Sequence, residues 1–254
     1  MLKANVNGVQ IAYERYGSGI PLVLVHGYPL DHTIWNPVIP LLESSFDLIL
    51  PDLRGFGQSR LSPNSYLFID VAADLVALMD SLMIKKASFA GHSMGGYISL
   101  AFARTYPERL LGLGLVASQA LPDTPEKKIA RYQEAEHILA HGVGDVAESM
   151  STRLTADPVL QSMLKKLMRS QRPEALAGAL RAMAERLDSN PLLPEFDFPV
   201  VLVHGLADQL IPVDRARAVQ SLLKKGHLVE IEGVGHMPMM EAPQVTAEAL
   251  KALL

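Results

Sequence analysis

Near-continuous apolar runs recur along the chain, at Pro21-Leu22-Val23-Leu24-Val25, Phe46-Asp47-Leu48-Ile49-Leu50, Ala87-Ser88-Phe89-Ala90, Leu111-Gly112-Leu113-Gly114-Leu115-Val116, Val200-Val201-Leu202-Val203 and His227-Leu228-Val229-Glu230-Ile231. A strand with one face in water alternates apolar and polar residues. A run that is apolar throughout suits a strand covered on both faces, as in a parallel sheet. Stretches of helical spacing separate most of these runs, at Ile69 to Met83, Met94 to Thr105, Val213 to Leu223 and Pro243 to Leu254. The alternation predicts α/β architecture, a mainly parallel sheet with helices on both faces. Near the amino end, two further strand-like runs flank Asn7-Gly8, a pair suited to a tight hairpin turn.

The alternation stops between about Leu121 and Pro191. That stretch is rich in Ala, Leu, Met, Glu, Arg and Lys, all good helix formers. Pro125, Pro158 and Pro173 each precede a helical pattern, where the missing N–H costs nothing in a first turn. The pattern predicts an insertion of about three or four helices. The chain then divides into residues 1–120 as the first part of an α/β core, 121–190 as the insertion and 191–254 as the second part of the core.

The 254 residues suffice for one large α/β unit with an insertion, and 49% hydrophobic residues supply its core. The net charge of −4 is spread evenly, with no basic stripe of the kind that binds nucleic acid. With no cysteine, disulfides and thiolate metal sites are excluded. Residues Met1 to Gly8 carry no apolar signal core, and no apolar run approaches a membrane span. A soluble cytoplasmic protein without a membrane partner is expected. The pattern is silent on oligomeric state.

Candidate chemistry centres on Ala90-Gly91-His92-Ser93-Met94-Gly95-Gly96. A serine with glycines at i−2 and i+2, between a short buried strand and a helix, is the pattern of a nucleophile elbow. The sharp turn would lift the Ser93 hydroxyl clear of the sheet and aim the first amides of the helix, Met94 among them, at developing negative charge. A serine hydroxyl near neutral pH needs a base within hydrogen-bond reach. His236, in the loop Gly233-Val234-Gly235-His236-Met237-Pro238 after the last strand, is the candidate. A carboxylate must then fix the histidine's tautomer. Asp208 follows the preceding strand and is preferred over its rivals. Asp197 stands before that strand, at the wrong end of the sheet, and Asp214 at a helix start suits a charge on the helix dipole. The second oxyanion donor should come from His26-Gly27-Tyr28-Pro29-Leu30. Tyr28 N–H is the candidate, since Gly27 lets the backbone turn inward and Pro29 has no N–H.

The same residues admit other readings. His26, His204 and His236 with an aspartate could bind zinc, but their spacing matches no local metal motif and leaves Ser93 and its glycines unexplained. No metal and no cofactor is expected. Gly55 and Gly57 lack the lysine of a phosphate loop. Asp52 and Arg54 read as a structural loop network, and His26 and His204 as loop-packing residues. Methionines of the insertion read as packing that also lines an adaptable apolar pocket.

Taken together, His26 to Leu30 with Trp35, Asp52-Leu53-Arg54-Gly55-Phe56-Gly57-Gln58-Ser59, Gly91 to Gly96, Gly205 to Pro212 and Gly233 to Pro238 resemble the cofactor-free α/β-hydrolases. The resemblance is to the serine esterase, haloperoxidase-like and 3-oxoadipate enol-lactonase branch, and the order Ser93, Asp208, His236 is that of the superfamily. It implies a mostly parallel eight-stranded sheet flanked by helices, with the insertion as a cap over a Ser93–Asp208–His236 triad. Epoxide hydrolases and haloalkane dehalogenases of similar fold carry aspartate where Ser93 stands. The resemblance implies hydrolysis of a small or medium carboxylic ester. The enzymatic alternative is a lactonase or carbon–carbon hydrolase on a β-keto substrate, with cap arginines such as Arg131, Arg153 and Arg169 on a substrate carboxylate. A ligand receptor on the same fold is the non-enzymatic alternative.

Overall fold

The computed structural model describes residues 1–61 and 64–254. Its eight strands are β1 (Leu2–Val6), β2 (Val9–Tyr16), β3 (Ile20–Val25), β4 (Phe46–Pro51), β5 (Ala87–His92), β6 (Leu110–Val116), β7 (Val200–Gly205) and β8 (Gly226–Ile231). They form one sheet in the order β1-β2-β4-β3-β5-β6-β7-β8. β2 is antiparallel to both β1 and β4; all other pairs are parallel. The hairpin falls at Asn7-Gly8, whose φ values of 48° and 78° are those the turn requires.

The apolar runs of β4, β5 and β7 are strands buried on both faces, whereas the run at His227 to Ile231 forms the edge strand β8 and is only half-buried. Leu22 and Leu24 of β3 pack into the hydrophobic layer on one face of the sheet, and Val23 and Val25 into the other. The first layer also takes Leu250 from α10 (Pro243–Leu250), and the second takes Leu75 from α2 (Phe68–Ser81) and Phe102 from α3 (Met94–Thr105). The short α1 (Ile39–Leu42) lies between β3 and β4. Helix α2 ends two residues before the expected Met83, because Met83 takes φ 59° in the left-handed region that closes helices. The carboxy-terminal pattern divides into α10 and a 3-10 turn at Lys251–Leu253.

Between β6 and β7 the chain forms four helices, α4 (Pro125–His141), α5 (Gly144–Leu154), α6 (Pro158–Arg169) and α7 (Pro173–Ala184). Three of them open on the prolines marked in the sequence. Thr124 and Asp157 cap two of these, accepting from the amides of Lys127 and of Val159 and Leu160. The remaining helices are α8 (Asp214–Leu222) and α9 (Pro238–Glu241). No helix among the described residues is long and apolar enough to cross a membrane.

Candidate functional site

Ser93, Asp208 and His236 follow β5, β7 and β8, so all three stand beyond the carboxyl ends of parallel strands, where an open α/β sheet gathers ligand-binding loops. Ser93 joins β5 to α3 at φ 50° and ψ −112°. This is a strained backbone for a residue with a Cβ. The flanking glycines make the turn possible: a Cβ on Gly91 would strike the backbone of Gly95, and one on Gly95 would strike the carbonyl of Val25. The Ser93 amide donates to Val116 on the adjacent strand at 2.9 Å, which fixes the turn to the sheet.

His236 is held on every side. Its Nδ1 lies 2.7 Å from Asp208 Oδ2. Its peptide N–H donates to the carbonyl of Leu154, the last residue of α5, at 2.8 Å. Its carbonyl lies 2.9 Å from His92 Nε2; a carbonyl only accepts, so the His92 proton is on Nε2. Complete burial, with the His236 charge adding to it, pushes the His92 pKa down to about 3 and keeps that ring neutral. Glu241 of α9 accepts from the amides on either side of His236, from Gly235 at 3.2 Å and from Met237 at 3.1 Å.

Asp208 is fixed as firmly. Oδ1 accepts from the amides of Leu210 and Ile211 at 2.8 and 3.0 Å. Oδ2 takes Nδ1–H of His236, with Nε2 of His204 at 3.3 Å. Burial alone would raise its pKa, but the His236 charge and these hydrogen bonds outweigh it and hold the carboxyl well below the usual carboxylate range. Gly205 lets its loop meet that of His236, since a Cβ there would strike the carbonyls of Val234 and Gly235.

Ser93 and His236 line one cavity of about 220 Å³. The Ser93 hydroxyl makes no hydrogen bond among the described residues, and neither does the amide of Tyr28 or Met94. The insertion supplies much of the cavity wall. Lys127, Arg131 and Glu134, at i, i+4 and i+7 of α4, share one face and line it with Arg153 of α5. Met150 and Met183 line it too, as expected of insertion methionines. Arg131 is paired with Asp123, which also holds Arg186 at 2.8 Å. Arg169 does not line this cavity; it pairs with Glu148 on the exposed face of the insertion. Burial raises the pKa of Glu134 and lowers that of Lys127.

The remaining sequence candidates sort by their contacts. His26 Nε2 accepts from the Leu53 amide at 3.0 Å, and Nδ1–H is 3.0 Å from the Gly27 carbonyl, so the ring fastens two loops. Asp52 pairs with His32 at 2.6 Å and Arg54 with Asp74 at 2.6 Å, the expected loop network. Asp214 pairs with Arg217 at the surface. Among the described residues, the group close enough to share a metal ion is Asp31, His32 and Asp52, and its oxygens already serve that network, accepting from Thr33, His32 and Gln58. Sequence reasoning missed Glu241 and Tyr97. Glu241 follows Pro238 by three residues, a spacing that returns a short-helix side chain to the preceding loop.

Three known proteins are similar to this chain over nearly its whole length. A thermophilic esterase from Thermogutta terrifontis, solved with malate bound, superposes with a TM-score of 0.94 at 36% identity, over 99% of this chain and 96% of that one. The dihydrolipoyllysine-residue acetyltransferase component of an acetoin cleaving system from Pseudomonas putida is 31% identical over 99% of this chain and 68% of its own length. A pimeloyl-[acyl-carrier protein] methyl ester esterase from Aeromonas hydrophila is 26% identical over 96% of this chain and 98% of its own. The family model for the alpha/beta hydrolase fold matches residues 20–243. With its eight-stranded, mostly parallel sheet and these matches, the chain belongs to the α/β-hydrolase family.

Proposed function

We propose that this protein is a serine hydrolase of carboxylic esters with small to medium acyl chains, with Ser93, His236 and Asp208 as its triad and residues 121–190 as a cap over the site. One observation carries the reading: the strained Ser93 shares a cavity with His236, and the Nδ1 of that histidine is committed to Asp208. With the proton on Nδ1, Nε2 is the free acceptor for the serine proton. Ser93 Oγ attacks the ester carbonyl, and the amides of Tyr28 and Met94 hold the oxyanion. His236 returns the proton to the leaving alcohol. Water then attacks the acyl-enzyme by the same route, with no cofactor. Two esterases among the similar proteins support this chemistry.

The test is turnover of p-nitrophenyl acetate and butyrate. Many turnovers per site support the hydrolase; a single burst ending in a stable adduct supports a ligand receptor instead. A second reading, a lactonase or carbon–carbon hydrolase on a β-keto substrate, draws on Lys127, Arg131 and Arg153, three cationic side chains that line the cavity with Glu134, the first two of them also paired with Asp123. Preference for a lactone bearing a carboxylate over a neutral ester, weakened by added salt, would favour it.

The acid limb of kcat/KM should have a slope of one on logarithmic axes. His92 stays neutral to about pH 3, and Asp208 stays ionised throughout the working range. Among the triad and His92, protonation of His236 is then the step that removes activity. A flat profile between about pH 5 and 9 would exclude a histidine base.

Glu241→Ala should lower kcat about tenfold with little change in KM, because the base loses two amide anchors while the substrate loses no contact. Glu241→Gln should recover most of the rate, since Oε1 accepts from both Gly235 and Met237. Equal losses in the two variants would show that the negative charge matters, and the acceptor geometry does not.

A further inference from the structure

A second cavity lies beside the first and has no part in the chemistry above. It is an apolar cleft of about 280 Å³, lined by Phe68, Leu100, Ala101, Ala120 and Leu187 among others. At its mouth Leu67, Ile69 and Leu187 are exposed, so the cleft opens to solvent. Among the described residues one side chain lines both cavities, that of Tyr97.

The sequence puts Tyr97 there. It stands four residues after Ser93 on α3, one helical turn along the same face. A long side chain on a helix leans toward the amino end, here toward the nucleophile. The ring is held in place by groups from separate elements. The Arg186 guanidinium sits 4.4 Å from its centroid, and Phe68 of α2 lies 6.4 Å away centre to centre. Gln119, after β6, reaches its hydroxyl at 3.5 Å. Arg186 is itself tied to Asp123 at 2.8 Å. A ring packed in this way has little freedom to swing aside.

We propose that the Tyr97 ring is a partition that sets the chain length of the substrate, closing the Ser93 cavity against the apolar cleft beyond. The proposal rests on the ester-hydrolase reading and names its substrate class: esters whose arm on the Tyr97 side is short. A longer alkyl chain meets the ring where it would otherwise continue into the cleft. Taking the ring away joins the two cavities, and each methylene that enters the cleft then gains burial against Leu100, Ala101 and Ala120.

The experiment measures kcat/KM over two series, p-nitrophenyl alkanoates from acetate to dodecanoate and n-alkyl acetates of matching length. The two series cover either placement of the chain. In the wild type, kcat/KM should fall steeply with length in at least one series. Tyr97→Ala should raise the dodecyl-to-butyryl ratio in that series by about tenfold or more. Tyr97→Phe, which keeps the ring, should retain the wild-type profile. Ala101→Trp added to Tyr97→Ala should fill the cleft and reverse the gain, while Ala101→Trp alone should leave the short-chain preference in place. Tyr97→Leu, which keeps an apolar side chain, serves as the milder opening variant if Tyr97→Ala does not fold.

A wild type that accepts dodecyl esters as well as butyryl ones overturns the partition. So does an unchanged ratio in folded Tyr97→Ala or Tyr97→Leu protein that still hydrolyses short esters; the ester reading then stands and the partition alone falls. A gain that survives Ala101→Trp also overturns it, since the chain is then not in the cleft. Failure of every protein, wild type included, to hydrolyse any ester sinks the ester reading and the partition with it.

Discussion

Ser93→Ala will abolish ester turnover while the protein keeps its fold. Removing the nucleophile of such a triad costs about 10⁴-fold or more in kcat. The substitution deletes one oxygen, and that oxygen makes no hydrogen bond among the described residues. The elbow is held by the amide of Ser93 on Val116 and by the glycines on either side, none of which changes. Alanine at φ 50° carries the same Cβ as serine, so the backbone strain is unaltered. An unchanged melting temperature together with lost turnover therefore isolates the chemistry. A fluorophosphonate should label the parent at Ser93 and leave the variant unlabelled. A variant with kcat within tenfold of the parent would remove Ser93 from the mechanism.

The parts of this molecule that were legible in its sequence are those where one physical demand excludes most residues. The strands could be read because burial on both faces admits few polar side chains, as in Leu22 to Val25 and Val200 to Val203. The elbow could be read because the close packing of Gly91 and Gly95 against neighbouring backbone leaves no room for a side chain. Three of the four helices of the insertion could be placed from Pro125, Pro158 and Pro173, each at a first turn, while α5 opens on Gly144 without one.

Other features depend on which face of a helix meets which neighbour, and sequence spacing does not carry that. In the sequence Arg131 is one of three interchangeable insertion arginines; α4 turns it, with Lys127 and Glu134, toward the Ser93 cavity. Arg169 looked equally eligible and faces outward, paired with Glu148. Tyr97 stands in the helical run after Ser93 with no signal of its own in the sequence, and only the two cavities on either side of it give it a further meaning. His204 reads as packing and His92 as part of the elbow, but each donates a hydrogen bond that fastens a loop beside Asp208 or His236. A histidine that positions and a histidine that packs have the same sequence signature.

Asp208→Asn should be nearly as damaging as loss of the serine, through the tautomer of His236. The carboxylate presents Oδ2 to Nδ1–H of His236 at 2.7 Å, while Nε2–H of His204, 3.3 Å from the same oxygen, donates to the Ile211 carbonyl at 2.7 Å. Oδ1 is pinned by the amides of Leu210 and Ile211. An asparagine keeps its oxygen on those amides and is thereby forced to place its NH₂ where Oδ2 was. That NH₂ faces His236 as a donor and is best met by an unprotonated Nδ1, which moves the ring proton to Nε2. A protonated Nε2 cannot take the proton of Ser93, and the imidazolium formed during attack loses its counter-charge. The same substitution in the serine-protease triad lowers kcat by about 10⁴ with the geometry intact, and a loss of that order is expected here. The main effect should fall on kcat, since Asp208 does not line the cavity that receives substrate. Asp214→Asn is the control, an exposed carboxylate paired with Arg217 at the surface, and it should change kcat less than twofold. If the Asp214 variant is the crippled one, the carboxylate behind the base has been misassigned and the loop after β7 does not serve the reaction.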